Sequence, residues 1–485
     1  MNDEQLRISK KVSIAQAFNA IALVIALVGI MTSKGSSEDQ TILSIVVTTY
    51  ASVILIGQFL LRRNDVASMI FTVLNIYVWI AYPLKVVLLL HDPMSSWVSH
   101  QLFDANVVQR EVSDAFYTVI PGIIALFLGF LIGGKSRSLD RGGKVVLRHS
   151  YFIAIILGVM LLKILVQTYL NIGLPGVKPQ VVGVPFLSGL LDMLTRPVLF
   201  ALVNLYFYCV LRLNERRGLI IGLLLLLLNI LLAVRVGWKG ELVIQGVIIA
   251  FYLADVYSYL EPKRRRFVAI AALVVIVATI NLYTFIGEYR NYILSGRTMT
   301  EAINKAEDKE KKQNMSSVSL YPIYNRVNGI DAYYAAIKLG RGRDFPVYSL
   351  ISDNVMDLIK EKLYGYDKDR AVTAFGTTQF SVLYLVGGSP LLVIGCFVLG
   401  WMFRWLTMWI KNRILASDTT FNAYLPFLCI LWVKVLCAGG MLLLYSKELM
   451  LIVGCLYCVE RLCYQRQATW ESEGPNTANA MLIAR

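Results

Sequence analysis

Eight ionisable residues stand in or beside strongly apolar stretches of this chain: Lys85, Lys163, Asp192, Arg196, Arg235, Lys239, Glu241 and Lys434. A charged side chain in hydrocarbon is costly, so each is a candidate for ligand binding. Most are cations. An ammonium suits point-charge contact with phosphate, and a guanidinium suits bidentate contact. Together they point to an anionic ligand with a hydrophobic body, such as a lipid phosphate or diphosphate. Each also has a plainer reading. Lys85 stands near a helix end and can snorkel to the headgroups. Asp192 and Arg196 are spaced i, i+4 and can neutralise each other. Arg404 reads as a snorkelling residue near the end of its apolar run. Lys163 and Lys434 have no partner in their own helices, and a water-filled or anionic site suits them best.

A second store of chemistry is the polar stretch from about Glu288 to Gly388, set between strongly apolar regions. Among its tyrosines are Tyr289, Tyr292, Tyr321, Tyr324, Tyr333, Tyr334, Tyr348, Tyr364 and Tyr366. Tyrosine stacks on sugar rings, and it also collects at membrane interfaces for physical reasons alone. The stretch reads as folded. In NRVNGIDAYYAAIKL, Ile330, Tyr333, Tyr334 and Ile337 fall on one helical stripe. In SDNVMDLIKEKLYG, Ser352 or Asp353 caps a helix that Gly365 stops. FSVLYLVGG is too short to span a membrane and is expected at its interface.

The scaffold for both is a set of membrane helices. Of the 485 residues, 57% are hydrophobic and 16% charged, against about 25% charged in soluble domains. Mean hydropathy is +0.61. Apolar runs of spanning length predict an all-α polytopic membrane protein of about twelve transmembrane helices. They fall at Ile14–Thr32, Ile42–Leu61, Val66–Leu90, Ala115–Gly133, Tyr151–Leu170, Phe186–Leu211, Gly218–Val234, Leu242–Leu260, Phe267–Ile286, Pro390–Ile410, Phe421–Leu444 and Leu449–Leu462. The chain thus divides into nine helices over 1–286, a large partly helical outer loop over 287–389, three helices over 390–465 and a tail over 466–485. Basic residues gather in alternate loops: Arg62-Arg63, Lys135 to Arg148, Arg212 to Arg217, Lys263 to Arg266 and Lys411 to Arg413. The positive-inside rule then places both termini in the cytoplasm and the large loop outside. The same distribution explains the net charge of +15 without nucleic acid, since no basic run alternates with stacking aromatics. The seven cysteines all lie in apolar runs or near the C-terminal end and read as packing residues.

Three features carry a resemblance to a known family. They are the dozen or so helices, the outward hairpin Arg-x-Gly-x-x-Gly (Arg235, Gly237, Gly240), and one large outer loop that enters its next helix through AFGTTQFSVLYLVGGSPLLVIGCFVLG. In these the chain is similar to the Wzy-type bacterial polysaccharide repeat-unit polymerases, or O-antigen polymerases. The resemblance implies a GT-C-like membrane glycosyltransferase of the bacterial inner membrane. Such an enzyme joins undecaprenyl-diphosphate-linked glycans at the periplasmic face, with no cofactor, metal or sugar nucleotide. Membrane lipid surrounds it, and whether a chain-length regulator binds stays open. On that reading Arg235 and Arg326 are the catalytic cations, and Glu288 or Asp331 is the base for the acceptor hydroxyl. Lys239, Arg290, Arg341, Arg343, Arg196, Lys163 and Lys434 bind the diphosphates and glycan. Glu288 and Asp331 have a plainer reading as ion-pair partners. The related ligases use a histidine in the large loop, and His91, His100 and His149 all lie elsewhere. A flippase of lipid-linked glycan is the rival from another class, and it needs no large folded outer loop.

Overall fold

Apolar runs become helices because in hydrocarbon each backbone N–H and C=O must be satisfied within its own segment. The computed structural model of the protein describes residues 65–86, 89, 105–133, 145–174, 185–213, 215–236, 239–257, 329–339, 345, 347–351, 377–414, 418–437, 439 and 442–466. The helices expected at 14–32, 42–61 and 267–286, the tail beyond Arg466 and most of the large loop lie outside the described residues.

The first described helix, α1, runs Asp65–Trp79 and continues into a π-turn, Ile80–Leu84, that contains Pro83. Proline lacks the N–H of a regular turn, and a π-turn absorbs the mismatch. Helix α2 spans Ala105–Ile132 and α3 spans His149–Tyr169. Helix α4, Pro185–Met193, passes through a second proline-bearing π-turn, Leu194–Val198, into α5, Leu199–Leu213. Helices α6 and α7 are Arg216–Val236 and Lys239–Tyr257. The large loop contributes α8, Ile330–Leu339, and a 3₁₀ turn, Val347–Leu350. Helix α9 is Gln379–Trp409, followed by a third π-turn, Ile410–Ile414. Helices α10, Asp418–Cys437, and α11, Leu442–Cys463, close the series. The strands β1, Val145–Leu147, and β2, Tyr464–Arg466, pair antiparallel, with Val145 opposite Arg466.

Five of the described segments are long and apolar enough to cross a membrane: Asp114–Ile132, His149–Tyr169, Leu187–Leu213, Arg217–Val236 and Gln379–Asn412. Three shorter apolar ones are Met69–Leu84, Gly240–Leu253 and Phe421–Cys437. The architecture is that of a helical membrane protein.

Three helices start well before their expected runs, among them α11, expected from Leu449 and beginning at Leu442. The helix expected from Ala115 begins at Ala105, so ten polar-rich residues of the expected 91–114 loop are helical. The helix expected from Pro390 begins at Gln379. Thr378 caps it, its hydroxyl oxygen accepting from the Ser381 N–H at 3.1 Å. The helix bends at Gly387 and Gly388, where Gly388 takes φ 66°, a region that suits glycine. The bend makes 379–386 an arm separate from the spanning part. That arm was expected at the membrane interface. Instead Phe380 to Leu385 are buried inside the protein.

Contacts divide the chain into two compact units. The first comprises Met1–Ser136, Ala233–Arg413 and Tyr424–Leu449. Its spine is α2 against α9, where small residues let backbones meet. Gly129 and Gly133 lie against the backbone of Phe397 and Trp401, and Gly400 lies against Leu126. Phe71 of α1 packs on Phe127 and Phe130, and Phe403 stacks on Trp432 at 4.6 Å. The second unit comprises Arg137–Leu232, Ile414–Ala423 and Met450–Arg485. In it α3 packs on α5 and on the π-turn before α5.

Candidate functional site

Helix α8 is where the large loop meets the membrane helices of the first unit. The sequence gives it one apolar stripe. The structure buries Ile330 and every residue from Asp331 to Ala336, leaving Lys338 exposed. Three elements wrap it. The N-terminal extension of α2 lies on one side and the arm of α9 on another. The π-turn after α1 approaches its start, where Gly329 lies so close to the Ala81 carbonyl that a Cβ would collide with it.

Polar contacts line this socket. Lys85 Nζ donates to Asp331 Oδ2 at 2.6 Å, and both side chains are buried. The other oxygen, Oδ1, accepts the backbone N–H groups of Gly329 at 3.2 Å and Ala332 at 3.0 Å. Asp331 therefore caps the start of α8 while it pairs with Lys85. One helical turn on, the Tyr334 hydroxyl donates to Glu111 Oε2 at 2.6 Å, and Lys338 pairs with the same oxygen. Thr118 and Tyr333 share a hydrogen bond at 3.3 Å. Tyr333 meets Tyr384 edge-on at 5.5 Å, and Tyr82 meets Phe380 at 5.2 Å. Ala336, Phe345, Val382 and Leu385 form a small apolar cluster beside Leu350 and Val386.

The electrostatics follow from these contacts. Burial pushes the Glu111 carboxyl up. The hydrogen bonds from Lys338 and Tyr334, with the Lys338 charge, outweigh it and hold the group below its ordinary value. Tyr334 is raised, first by burial and then by Glu111. Tyr333 is raised by burial, against the Thr118 hydrogen bond.

The remaining predicted residues are distributed as follows. Lys85 does not snorkel. It is fully buried and paired with Asp331, a residue 246 positions away. Arg196 pairs with Asp192 through both guanidinium and carboxylate groups, with Nε to Oδ1 at 2.5 Å. This is the i, i+4 neutralisation, next to Gly173. Lys434 is not left to an anionic ligand alone, since Glu448 of α11 lies at 2.8 Å. Arg404 is buried and donates to the carbonyls of Phe130 at 3.1 Å and of Leu131. It closes the C-terminal end of α2 instead of snorkelling. Lys163 lies on the buried stripe of α3 with Phe152, Ile156, Met160 and Gln167. Lys163, Asp192 and Arg196 belong to the second unit, and Lys85, Asp331 and Lys434 to the first. Arg235 is exposed at the end of α6, and Lys239 opens α7. Glu288, Arg290, Arg326, Arg341 and Arg343 lie outside the described residues. Asp331 sits one residue into α8, which begins at Ile330.

The sequence did not single out Glu111 or Thr118, and it read Thr377 to Ser381 as the loop's entry to its next helix, not as a buried run. For Glu111 the signal was available: helical periodicity continues backward from Ala115 through Val112 and Val108.

Comparison with protein-family models, with curated proteins and with solved structures finds no match to the chain.

Proposed function

We propose that this chain is a membrane glycosyltransferase that joins polyprenyl-diphosphate-linked oligosaccharide units into polysaccharide. The reading takes about twelve membrane helices in a GT-C-like arrangement, both termini cytoplasmic, in a bacterial inner membrane, with the large loop on the periplasmic side. The observation that carries it is the seating of α8. The large loop sends a helix into a polar socket built by α2, α9 and the π-turn after α1. Chemistry on sugars above the bilayer calls for such a fixed outer element, whereas a flippase could do without it. Arg235, exposed at the end of α6, is the described cation best suited to hold a diphosphate leaving group. The substrates are the lipid-linked donor and acceptor glycans.

The test is turnover of purified protein with lipid-linked repeat units, read as chain length on a gel. Arg235→Ala is expected to slow elongation by about a hundredfold, as loss of one charge-stabilising donor does, with expression unchanged. Equal chain-length distributions from Arg235→Ala and the wild type would remove Arg235 from the site. No elongation by the wild type with any lipid-linked unit, alongside transbilayer movement of that unit, would favour the flippase.

A further inference from the structure

We propose that Lys85 is a positioning residue for the outer helix, and that Asp331 is its docking acceptor and not the base for the acceptor hydroxyl. The inference rests on the glycosyltransferase reading for what the positioning serves, but its physical core stands apart from it.

Asp331 Oδ2 is taken by Lys85 at 2.6 Å, and Oδ1 by the Gly329 and Ala332 N–H groups. The carboxylate is buried. A general base must reach the proton it removes, and a group held in this way faces inward. Its contacts instead fix two things at once: the start of α8 and the place of that start over the π-turn. Lys85 is the capping residue of that π-turn, and Pro83 and the Ala81 carbonyl beside Gly329 belong to it. A buried ion pair adds little net stability over apolar residues of the same shape, yet removing one partner is strongly unfavourable. Such a pair suits registration: it specifies where α8 docks. The Glu111 contacts with Tyr334 and Lys338 lie one to two turns further along α8 and report that docking.

Carbodiimide joins a carboxylate and an amine that touch, so it reads the Glu111–Lys338 contact in the unaltered full chain. Cross-linked peptide is measured by mass spectrometry in folded, monodisperse protein. The single variants Lys85→Met and Asp331→Asn are expected to lower its yield by about tenfold or more, since each strands a buried charge or its partner. Gly329→Ala keeps both charges and is expected to lower it as well, by pushing α8 off Ala81. The double variant Lys85→Met/Asp331→Asn removes both charges, keeps a side-chain oxygen for the Gly329 and Ala332 N–H groups, and is expected to restore the yield. In the polymerisation assay the double variant is expected to recover elongation. An unchanged yield in the folded single variants would overturn the positioning role. A restored yield without elongation would overturn it too, by showing that the Asp331 carboxylate is needed chemically. If the wild type makes no polymer but the yields follow this pattern, the glycosyltransferase reading fails and the docking role of the pair stands.

Discussion

At the scale of single residues, Glu111 shows how a half-exposed carboxylate can matter. It accepts from Tyr334 and Lys338, two residues of one helix spaced i, i+4. The cost of partly burying the carboxyl is outweighed, so its folded value lies below the ordinary carboxylate value. A carboxyl with a depressed folded value contributes stability above its unfolded value, and that contribution is lost as pH falls through the folded one. The unfolded value is about 4.3. The docking of α8 is therefore expected to hold from pH 8 down to about 5 and to loosen below the ordinary carboxylate value. Hydrogen exchange of the Ile330–Leu339 amides, corrected for intrinsic rate, reads this. Glu111→Gln should leave a smaller protection at neutral pH that no longer falls on acidification. A Glu111→Gln profile that still follows the wild-type acid response would assign the loosening to another group. Lys85 teaches the complementary point. Its partner is 246 residues distant, so nothing near it in the sequence announces an ion pair. A cation near a helix end has a cheap alternative at the headgroups, and only the docking of α8 decides between them.

At the scale of elements, the spanning helices were legible because hydrocarbon allows few alternatives to a helix. What was not legible is where helices continue past the apolar run. Ala105 to Asp114 is polar-rich and reads as loop, yet it is helical because α8 packs on it through Glu111. Likewise Gln379 to Val386 is too short to span, and its burial depends on α8 and on Gly439, whose N–H bonds to the Thr377 carbonyl. The π-turns were half visible. Pro83 and Pro197 mark two of them, but a proline does not say whether a helix will break, kink or widen. The contact between α2 and α9 gives the test at this scale. Gly400 lies against the Leu126 backbone, and Gly129 lies against Phe397. A methyl group at Gly400 has nowhere to go unless the helices part. Gly400→Ala is expected to cost about 1–3 kcal/mol, the usual penalty for overpacking, read as a lower thermal midpoint in detergent. Gly158→Ala is the control, because open space surrounds that position and alanine is the better helix former. Equal losses at the two sites would mean that close packing is not what Gly400 supplies.

At the scale of the whole molecule, the proposed reading depends on which side of the membrane α8 faces. The distribution of Lys and Arg is the sequence's own argument, since basic loops are retained in the cytoplasm. Arg148 precedes α3 and Arg217 is the second residue of α6, and both are exposed. Lys338 is exposed on α8. These residues cannot all share one side if α8 belongs to an outer loop. In a cysteine-free background, Lys338→Cys is expected to react with a membrane-impermeant maleimide in intact cells whose outer membrane has been opened. Arg148→Cys and Arg217→Cys should react only after the inner membrane is also breached. Labelling of all three from one side would place α8 in the cytoplasm and end the reading of a polymerase working on exported units. The proposed function requires lipid-linked substrates and the socket around α8 to meet on one face, so the orientation of a single lysine bears on the whole proposal. The three substitutions leave Lys85, Asp331 and Arg235 untouched, so their result does not depend on whether the site residues have been correctly assigned.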